Sequence, residues 1–301
     1  MNPFLRWLVV ILALSAAGPA AAKLRVFACE PEWGALARTL GEEQVEVYTA
    51  TTARQDPHHV QARPSLISRM RRADLVVCTG AELEIGWLPV LLRQGNNPRV
   101  QPGQPGYLAA AEHVRLLGIP TRVDRSEGDI HPYGNPHIQT DPHNIARVAA
   151  VLTDRLVQLD PAHETGYRQR YRHFANRWQQ AMARWELEAA PLRGGAVVTH
   201  HEGWVYLTHW LGLTVVGHLE PKPGVPPSGA HLARLLQTLK TRPAKMVIRA
   251  AYQDPRPSRW LASHGNTVTV TLPFTVGGTP GAKDLFGLYE DTVQRLLRAG
   301  R

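Results

Sequence analysis

The sequence lacks most features that mark common protein classes. It has only two cysteines in 301 residues, and neither a CxxC pair nor an HExxH motif occurs. Beyond the N-terminus, no apolar run is long enough for a transmembrane helix, which needs about 20 residues. These absences exclude a thiolate zinc finger, an HExxH metalloprotease and a polytopic membrane protein.

Lysine is also scarce, since only five of the thirty-four basic residues are lysines. The formal net charge of +9 therefore comes mostly from arginine. Excess arginine can indicate nucleic-acid binding. Here the arginines are scattered through helical segments such as SRMRRAD and RQRYRHFANR. We interpret them as solvated helix faces and expect no nucleic-acid partner.

Residues 1–22 have the pattern of a secretory signal peptide. Arg6 precedes an apolar core at 8–17, which is shorter than the about 17 residues needed to span a bilayer. Ala20 and Ala22 provide the small-x-small pattern of a signal-peptidase site. We expect cleavage after Ala22 and export to the periplasm, with a retained membrane anchor as the alternative.

The two cysteines, Cys29 and Cys78, lie at the ends of the predicted strands LRVFAC and DLVVC. An even cysteine count in an exported protein permits one disulfide. A bridge is feasible if the two strands are neighbours. The sequence also allows two buried free thiols.

Strand and helix signals alternate in two series. The first contains LRVFAC, a helix over 31–40 stopped by Gly41, VEVYTA, a helix over 65–72, and DLVVCTG. The second contains AVVTH, a helix over 203–211, LTVVGHL, a helix over 231–240, AKMVIRA, TVTVTL and a final helix over 284–297. This alternation predicts parallel sheets with helices on both faces.

Two helices are predicted between the series, over 141–160 and over 163–187. The second has no glycine or proline after Gly166, so it could bridge two lobes. We therefore predict an α/β fold with two Rossmann-like lobes joined by one long helix. The expected boundaries are 23–160 for the N-terminal lobe, 161–189 for the connecting helix and 190–301 for the C-terminal lobe.

Fourteen histidines are present, and several of them fall in loops just after predicted strands. Three clusters stand out: QDPHH, HPYGNPH and VVTHH. Ligands bind at such loops in open α/β sheets, and imidazole is the commonest transition-metal ligand. Three histidine nitrogens and a carboxylate suit tetrahedral zinc. Because the clusters are far apart, a shared site would lie in the interlobe cleft. From spacing alone, capping or surface histidines remain an alternative.

Three ordered motifs carry a resemblance to a known family. TTARQDPHHVQARPSLISRMRRADLVVCTGAELEIGWL resembles the N-lobe of cluster A-I periplasmic substrate-binding proteins of zinc and manganese ABC transporters, the ZnuA/TroA-like family. NPHIQTDPHNIARVAAVL and VVTHHEGWVYLTHWLGLTVVGHLEPKPGVPPSGAHL resemble its second and third motifs. The resemblance covers nearly the whole mature chain. It implies a monomeric metal carrier, not an enzyme, with an inner-membrane permease and its ATPase as partners.

Carried over residue by residue, the resemblance implies His58, His137 and His201 as metal ligands. In the first motif the ligand directly follows Asp-Pro, which favours His58 over His59. In the third, counting back from the next strand favours His201 over His200.

The fourth ligand departs from the family pattern. An aspartate usually follows the strand before the last helix, but TVTVTLPF carries no acid there. We expect Asp284 as the fourth ligand, and the alternative is that it caps the final helix. Glu220, Glu30 or a water are further alternatives. His131 lies in a region shorter than the family's histidine-rich loop, and we expect it near the site entrance.

The expected function is capture of zinc, with manganese as the alternative, and delivery to a transporter. Metal affinity should fall as the histidines protonate below about pH 6. One alternative is an exported zinc-dependent hydrolase with Glu202 as general base, which would turn over ester or peptide substrates. Another is a metal-binding adhesin on the same fold, which would bind a protein partner without metal.

Overall fold

The computed structural model describes residues 22–124 and 128–300. The predicted signal peptide therefore lies outside the described residues, apart from Ala22. Among the described helices, none combines the length and the apolar character that crossing a bilayer requires.

Four parallel strands form the sheet of the N-terminal half, in the order β2-β1-β3-β4. They are β1 (Leu24–Ala28), β2 (Val45–Thr49), β3 (Leu75–Cys78) and β4 (Tyr107–Ala109). The helices between them are α1 (Pro31–Gly41), α2 (Pro64–Arg72) and α3 (Leu88–Gly95). All of β3 is buried, as expected for a central strand of a parallel sheet covered on both faces.

The C-terminal half contains a second four-stranded parallel sheet, in the order β6-β5-β7-β8. Its strands are β5 (Ala196–Thr199), β6 (Thr214–His218), β7 (Met246–Ala250) and β8 (Val268–Leu272). Its helices are α6 (Val205–Leu211), α7 (Gly229–Thr241), α8 (Pro255–Gly265) and α9 (Leu285–Gly300). The two sheets thus share one strand order, which confirms the predicted pair of parallel α/β lobes.

Two helices connect the halves, α4 (Pro142–Leu159) and the 26-residue α5 (Glu164–Ala189). The Asp141 side chain caps α4 by accepting from the His143 backbone N–H. The helix α5 contacts α1 and α4 on one side and α9 on the other. This is the predicted long connecting helix, and because it packs against elements of both halves, it links their cores.

The disulfide forms between Cys29 and Cys78. Strands β1 and β3 are paired neighbours, and the two residues directly follow or end them with their Cα atoms 4.8 Å apart. Of the two possibilities left open by the sequence, the structure has the bridge.

Candidate metal centre

Loops from both halves bring three histidines to the cleft between the sheets. His58 lies in the loop after β2, His137 lies just before α4, and His201 follows β5. The carboxyl ends of parallel strands are where open α/β sheets place ligand-binding loops. Both sheets therefore contribute to one site.

The three imidazole rings converge. Each ring offers one nitrogen, and these atoms lie within 4.8 Å of one another. The ring centroids are 5.2 Å apart for His58 and His137, 5.7 Å for His58 and His201, and 5.4 Å for His137 and His201. The rings meet edge to face, at interplanar angles of 70–81°. They therefore surround a common point instead of stacking on each other.

His137 is the most buried member, at 1 % exposure. Neither of its ring nitrogens has a hydrogen-bond partner. Leaving buried polar atoms unpaired costs free energy, so such atoms require an explanation. Burial, together with nearby His58 and His201, holds the pKa of His137 well below its ordinary value. The ring is therefore neutral at pH 7, and its lone pair is available to a metal.

Carboxylates orient the other two rings. His58 Nδ1 lies 2.7 Å from Asp56 Oδ1, and His201 Nδ1 lies 2.7 Å from Glu220 Oε2. When Nδ1 donates to a carboxylate, the lone pair at Nε2 is left for a metal. Glu220, expected only as an alternative ligand, thus supports a ring instead. Asp56 was not expected, although an acid two residues before His58 was a readable signal.

The contacts between these carboxylates and rings also shift the pKa values of His201 and Asp56. Burial alone would lower the pKa of His201, but its hydrogen bond to Glu220 and the charge of that carboxylate raise it above the ordinary value. Burial alone would raise the pKa of Asp56, yet the hydrogen bonds and charge interaction with His58 keep it lowered. The Asp56 carboxylate is therefore held as an ionised partner of the His58 ring behind the site.

The neighbouring histidines lie outside the group. His59 is largely exposed, with Nε2 3.7 Å from Asp129. His200 is buried, and its Nε2 lies 3.9 Å from Glu220 Oε1. Among the described residues, the convergent histidine group consists of His58, His137 and His201.

The structure does not bring Asp284 or Glu30 to these histidines. Asp284 is exposed, and its Oδ1 accepts from the Gly287 backbone N–H at 2.8 Å. It therefore caps α9, where the first backbone N–H groups have no partner within the helix. Glu30 is buried beside Thr79, whose hydroxyl donates to its carboxylate. The position expected to supply the fourth ligand thus has a structural role.

A fourth imidazole lies beside the group. His131 Nε2 is 3.3 Å from His58 Nε2, and the ring centroids are 5.3 Å apart. Burial and the proximity of His58 lower the pKa of His131 to about 4. A cavity of about 340 Å³ opens here, lined in part by His131, His137 and His201. It provides a path for a small ion.

Phe274 forms a wall on the opposite side. Its ring centroid is 5.2 Å from that of His137. Its backbone φ of 62° is in the left-handed region, which is uncommon for a bulky residue. This conformation places an apolar ring beside the most buried histidine and keeps water away from it.

This arrangement fits a divalent transition metal. Zinc accepts three histidine nitrogens at about 2.0–2.1 Å and a further ligand in tetrahedral geometry. Three convergent imidazoles, two of them backed by carboxylates, provide such a donor set. The unpaired nitrogens of His137 provide the chemical reason for a bound cation.

Comparisons with known proteins agree with this geometry. Residues 26–299 match the family model described as ZnuA, zinc-uptake complex component A, periplasmic. The high-affinity zinc uptake system protein ZnuA of Yersinia pestis is 23 % identical over 239 residues, 72 % of each chain. The manganese ABC transporter substrate-binding lipoprotein PsaA of Streptococcus pneumoniae is 19 % identical over 258 residues, covering 84 % of this chain and 80 % of that protein.

Solved structures show the same fold. A crystal structure of ZnuA superposes with a TM-score of 0.76 at 19 % identity, covering 93 % of this chain and 100 % of that one. A manganese-bound periplasmic metal-binding protein of Candidatus Liberibacter asiaticus gives a TM-score of 0.74 at 17 % identity, covering 92 % and 99 %. The chain belongs to the ZnuA family of metal ABC transporter substrate-binding proteins, which are carriers and not enzymes.

Proposed function

We propose that this chain binds one divalent transition metal, zinc in preference to manganese, and delivers it to an ABC importer. His58, His137 and His201 would supply the nitrogen ligands. The metal is cargo, so the site has to hold it during transit and release it at the membrane.

One observation carries this proposal. Three imidazoles from loops of both halves converge within 4.8 Å, and one of them, His137, is buried with both nitrogens unpaired. A buried imidazole without partners is costly in the metal-free chain. A bound cation would give one of its nitrogens a partner, and relief of that part of the cost would favour metal binding.

The preference for zinc rests on ligand chemistry. Imidazole suits zinc, whereas carboxylate and water suit manganese. The carboxylates nearest the rings, Asp56 and Glu220, face the Nδ1 atoms behind His58 and His201. The relatives include proteins named for zinc and for manganese. The donor atoms of this chain are therefore a better guide to its metal than the names of the relatives.

The proposed setting follows from the family. The chain would be exported by its N-terminal signal, cleaved after Ala22, and act in the periplasm as a monomer. An inner-membrane permease and its ATPase would be the partners. Residues 23–160 and 190–301 would act as the two lobes that present the metal, with 161–189 as the link between them.

Direct metal binding tests the proposal. The dialysed chain, prepared without a His-tag, should take up one equivalent of zinc in competition with a chromophoric chelator. H58A, H137A and H201A should each weaken zinc binding by at least about 100-fold, because the loss of a ligand should exceed the 10–100-fold effect typical of supporting residues. H59A is the matched control, because His59 is exposed beside the site.

Two results would contradict the proposal. One is a wild-type chain that takes up neither zinc nor manganese. The other is an affinity that stays unchanged in all three alanine variants, because the convergent rings would then have no part in binding.

A further inference from the structure

We propose that His131 is a fourth ligand of the metal, and that the resulting four-imidazole set makes the chain selective for zinc over manganese. This inference rests on the proposed function of the same site. It replaces the carboxylate expected at this position with a nitrogen from the segment that crosses the mouth of the cleft.

The distance between His131 and His58 is that of two ligands on one metal. Their Nε2 atoms are 3.3 Å apart. At zinc–nitrogen distances of about 2.0–2.1 Å, adjacent ligand atoms of a tetrahedron are about 3.3 Å apart. The His131–His58 centroid separation of 5.3 Å also lies within the range spanned by the other three ring pairs.

The backbone on both sides of His131 is anchored to the C-terminal half. The Asp129 N–H donates to the Pro223 carbonyl at 3.0 Å, and the Asn135 side chain donates to the Glu202 carbonyl at 2.9 Å. Two anchors six residues apart hold the intervening segment over the cavity. His131 therefore reaches from a segment fixed to the C-terminal half to a histidine of the N-terminal half.

The nearby carboxylates already have histidine partners. Asp56 faces His58 and Glu220 faces His201. The other acids near the mouth also lie next to histidines outside the group: Asp129 beside His59, and Glu202 beside His218. With Asp284 capping α9, an imidazole is the better-placed donor for the remaining position.

The ring nitrogens of the four histidines are not equally close to one another. The nitrogens of His131 are not within 4.8 Å of those of all three other histidines. Closing the set therefore requires the ring to turn inward from its contact with His58. The cavity that His131 lines provides the space for this movement, so His131 would bind after the other three rings.

Zinc-edge X-ray absorption spectroscopy of the full chain with one equivalent of zinc tests the ligand count directly. We expect four imidazoles in the wild type, and three imidazoles with one oxygen in H131A. In a chelator competition, H131A should bind zinc at least about tenfold more weakly. H59A, which removes an exposed histidine next to the site, should match the wild type.

A second variant tests the selectivity. H131D replaces nitrogen with a carboxylate, and the ratio of zinc to manganese affinity should fall at least about tenfold. Unchanged melting temperatures of metal-free H131A and H131D would show that these effects are local.

The inference would be overturned if the wild-type spectrum showed three imidazole ligands on zinc and H131A bound zinc with unchanged affinity. An unchanged metal ratio in H131D would overturn the selectivity. In both cases zinc binding by the other three histidines would still support the proposed function. A wild-type chain that binds no zinc would instead remove the proposed function itself.

Discussion

At the scale of single residues, the acids behind the histidines matter as much as the histidines. Glu220 accepts from His201 Nδ1 and also from the Gly224 backbone N–H at 2.9 Å. It is therefore fixed by the loop that follows β6, and it fixes the ring in turn. A carboxylate in this position sets the tautomer of the ring and raises its basicity as a ligand.

Removing this support should weaken metal binding without removing a ligand. We expect E220A to lower zinc affinity by about 10–100-fold, and E220Q by less, because the amide oxygen can still accept from Nδ1. Competition titration against a chelator measures both. E202Q is the control, since the Glu202 side chain is half exposed and 3.6 Å from His218, outside the group. Equal affinities in E220A and wild type would contradict this role.

The candidate ligands were predictable where local signals exist. His58, His137 and His201 stand in short motifs, two of them after strands and one before α4, and the fold brings those loops together. Asp284 was expected as a substitute for an aspartate that the family has after the strand before the last helix and that this chain lacks. Its side chain instead caps the start of α9. The position of His131 depends on how an irregular segment crosses the cleft, and no periodicity or motif encodes that.

At the scale of elements, α5 determines how the halves are joined. Trp178 is fully buried, and its indole N–H donates to the Pro142 carbonyl at 2.9 Å. Its ring meets Tyr289 of α9 edge to face at 5.4 Å. One side chain thus connects the start of α4 with the last helix of the chain.

Substitutions of a buried and an exposed residue of α5 should separate the contribution of Trp178 packing to stability from any effect on helix propensity. W178F should cost about 1–3 kcal/mol, because the buried Pro142 carbonyl loses its partner. W178A should cost about 3–5 kcal/mol through the cavity it leaves. Leu187 on the same helix is 78 % exposed, and L187A should change stability by less than about 0.5 kcal/mol. Urea denaturation of the metal-free chain measures all three; a W178A variant as stable as L187A would contradict the role of Trp178.

Elements with a clear periodicity were predicted, and short ones were missed. The strands around LVVC and VVT and the long helices α4 and α5 have the apolar spacing expected of them. The strand β4 has three residues and follows a Pro/Gly-rich stretch, so its sequence resembled that of a loop. The helix α8, which has prolines at 255 and 257, was not predicted, although proline is well tolerated in a first helical turn. The helix α3 is only eight residues long.

At the scale of the whole molecule, a buried acid links the halves. Glu32 of α1 is 1 % exposed and accepts from the hydroxyl of Thr275, which follows β8. Burial raises the pKa of Glu32 to about 7, although the hydrogen bond from Thr275 lowers it. Burial likewise raises the pKa of nearby Glu84 to about 7. The native chain therefore favours the protonated form of these acids.

This shift gives a pH dependence with a definite sign. A raised native pKa contributes stability that is complete below the unfolded value, about 4.5, and is lost as pH rises through about 7. E32Q keeps an acceptor for Thr275 and removes the ionisation. Relative to wild type, its free energy of unfolding should therefore increase by about 1–3 kcal/mol between pH 4.5 and 8.

Urea denaturation across this pH range measures the difference. E112Q, at an exposed position, should show a constant difference from wild type. A constant difference for E32Q as well would show that Glu32 ionises as freely in the native chain as in the unfolded one.

The bridge between Cys29 and Cys78 also bears on which donors the chain can offer a metal. These are its only cysteines, and with Glu84 their sulfur atoms form the other group of convergent ligand atoms among the described residues. Only a thiolate binds a metal well, and sulfurs bonded to each other cannot become thiolates. The oxidised chain therefore offers no thiolate that could compete with the histidines for its cargo. Reduction of the bridge would add two sulfur donors beside Glu84, so the redox state of the surroundings sets which donor atoms the chain presents.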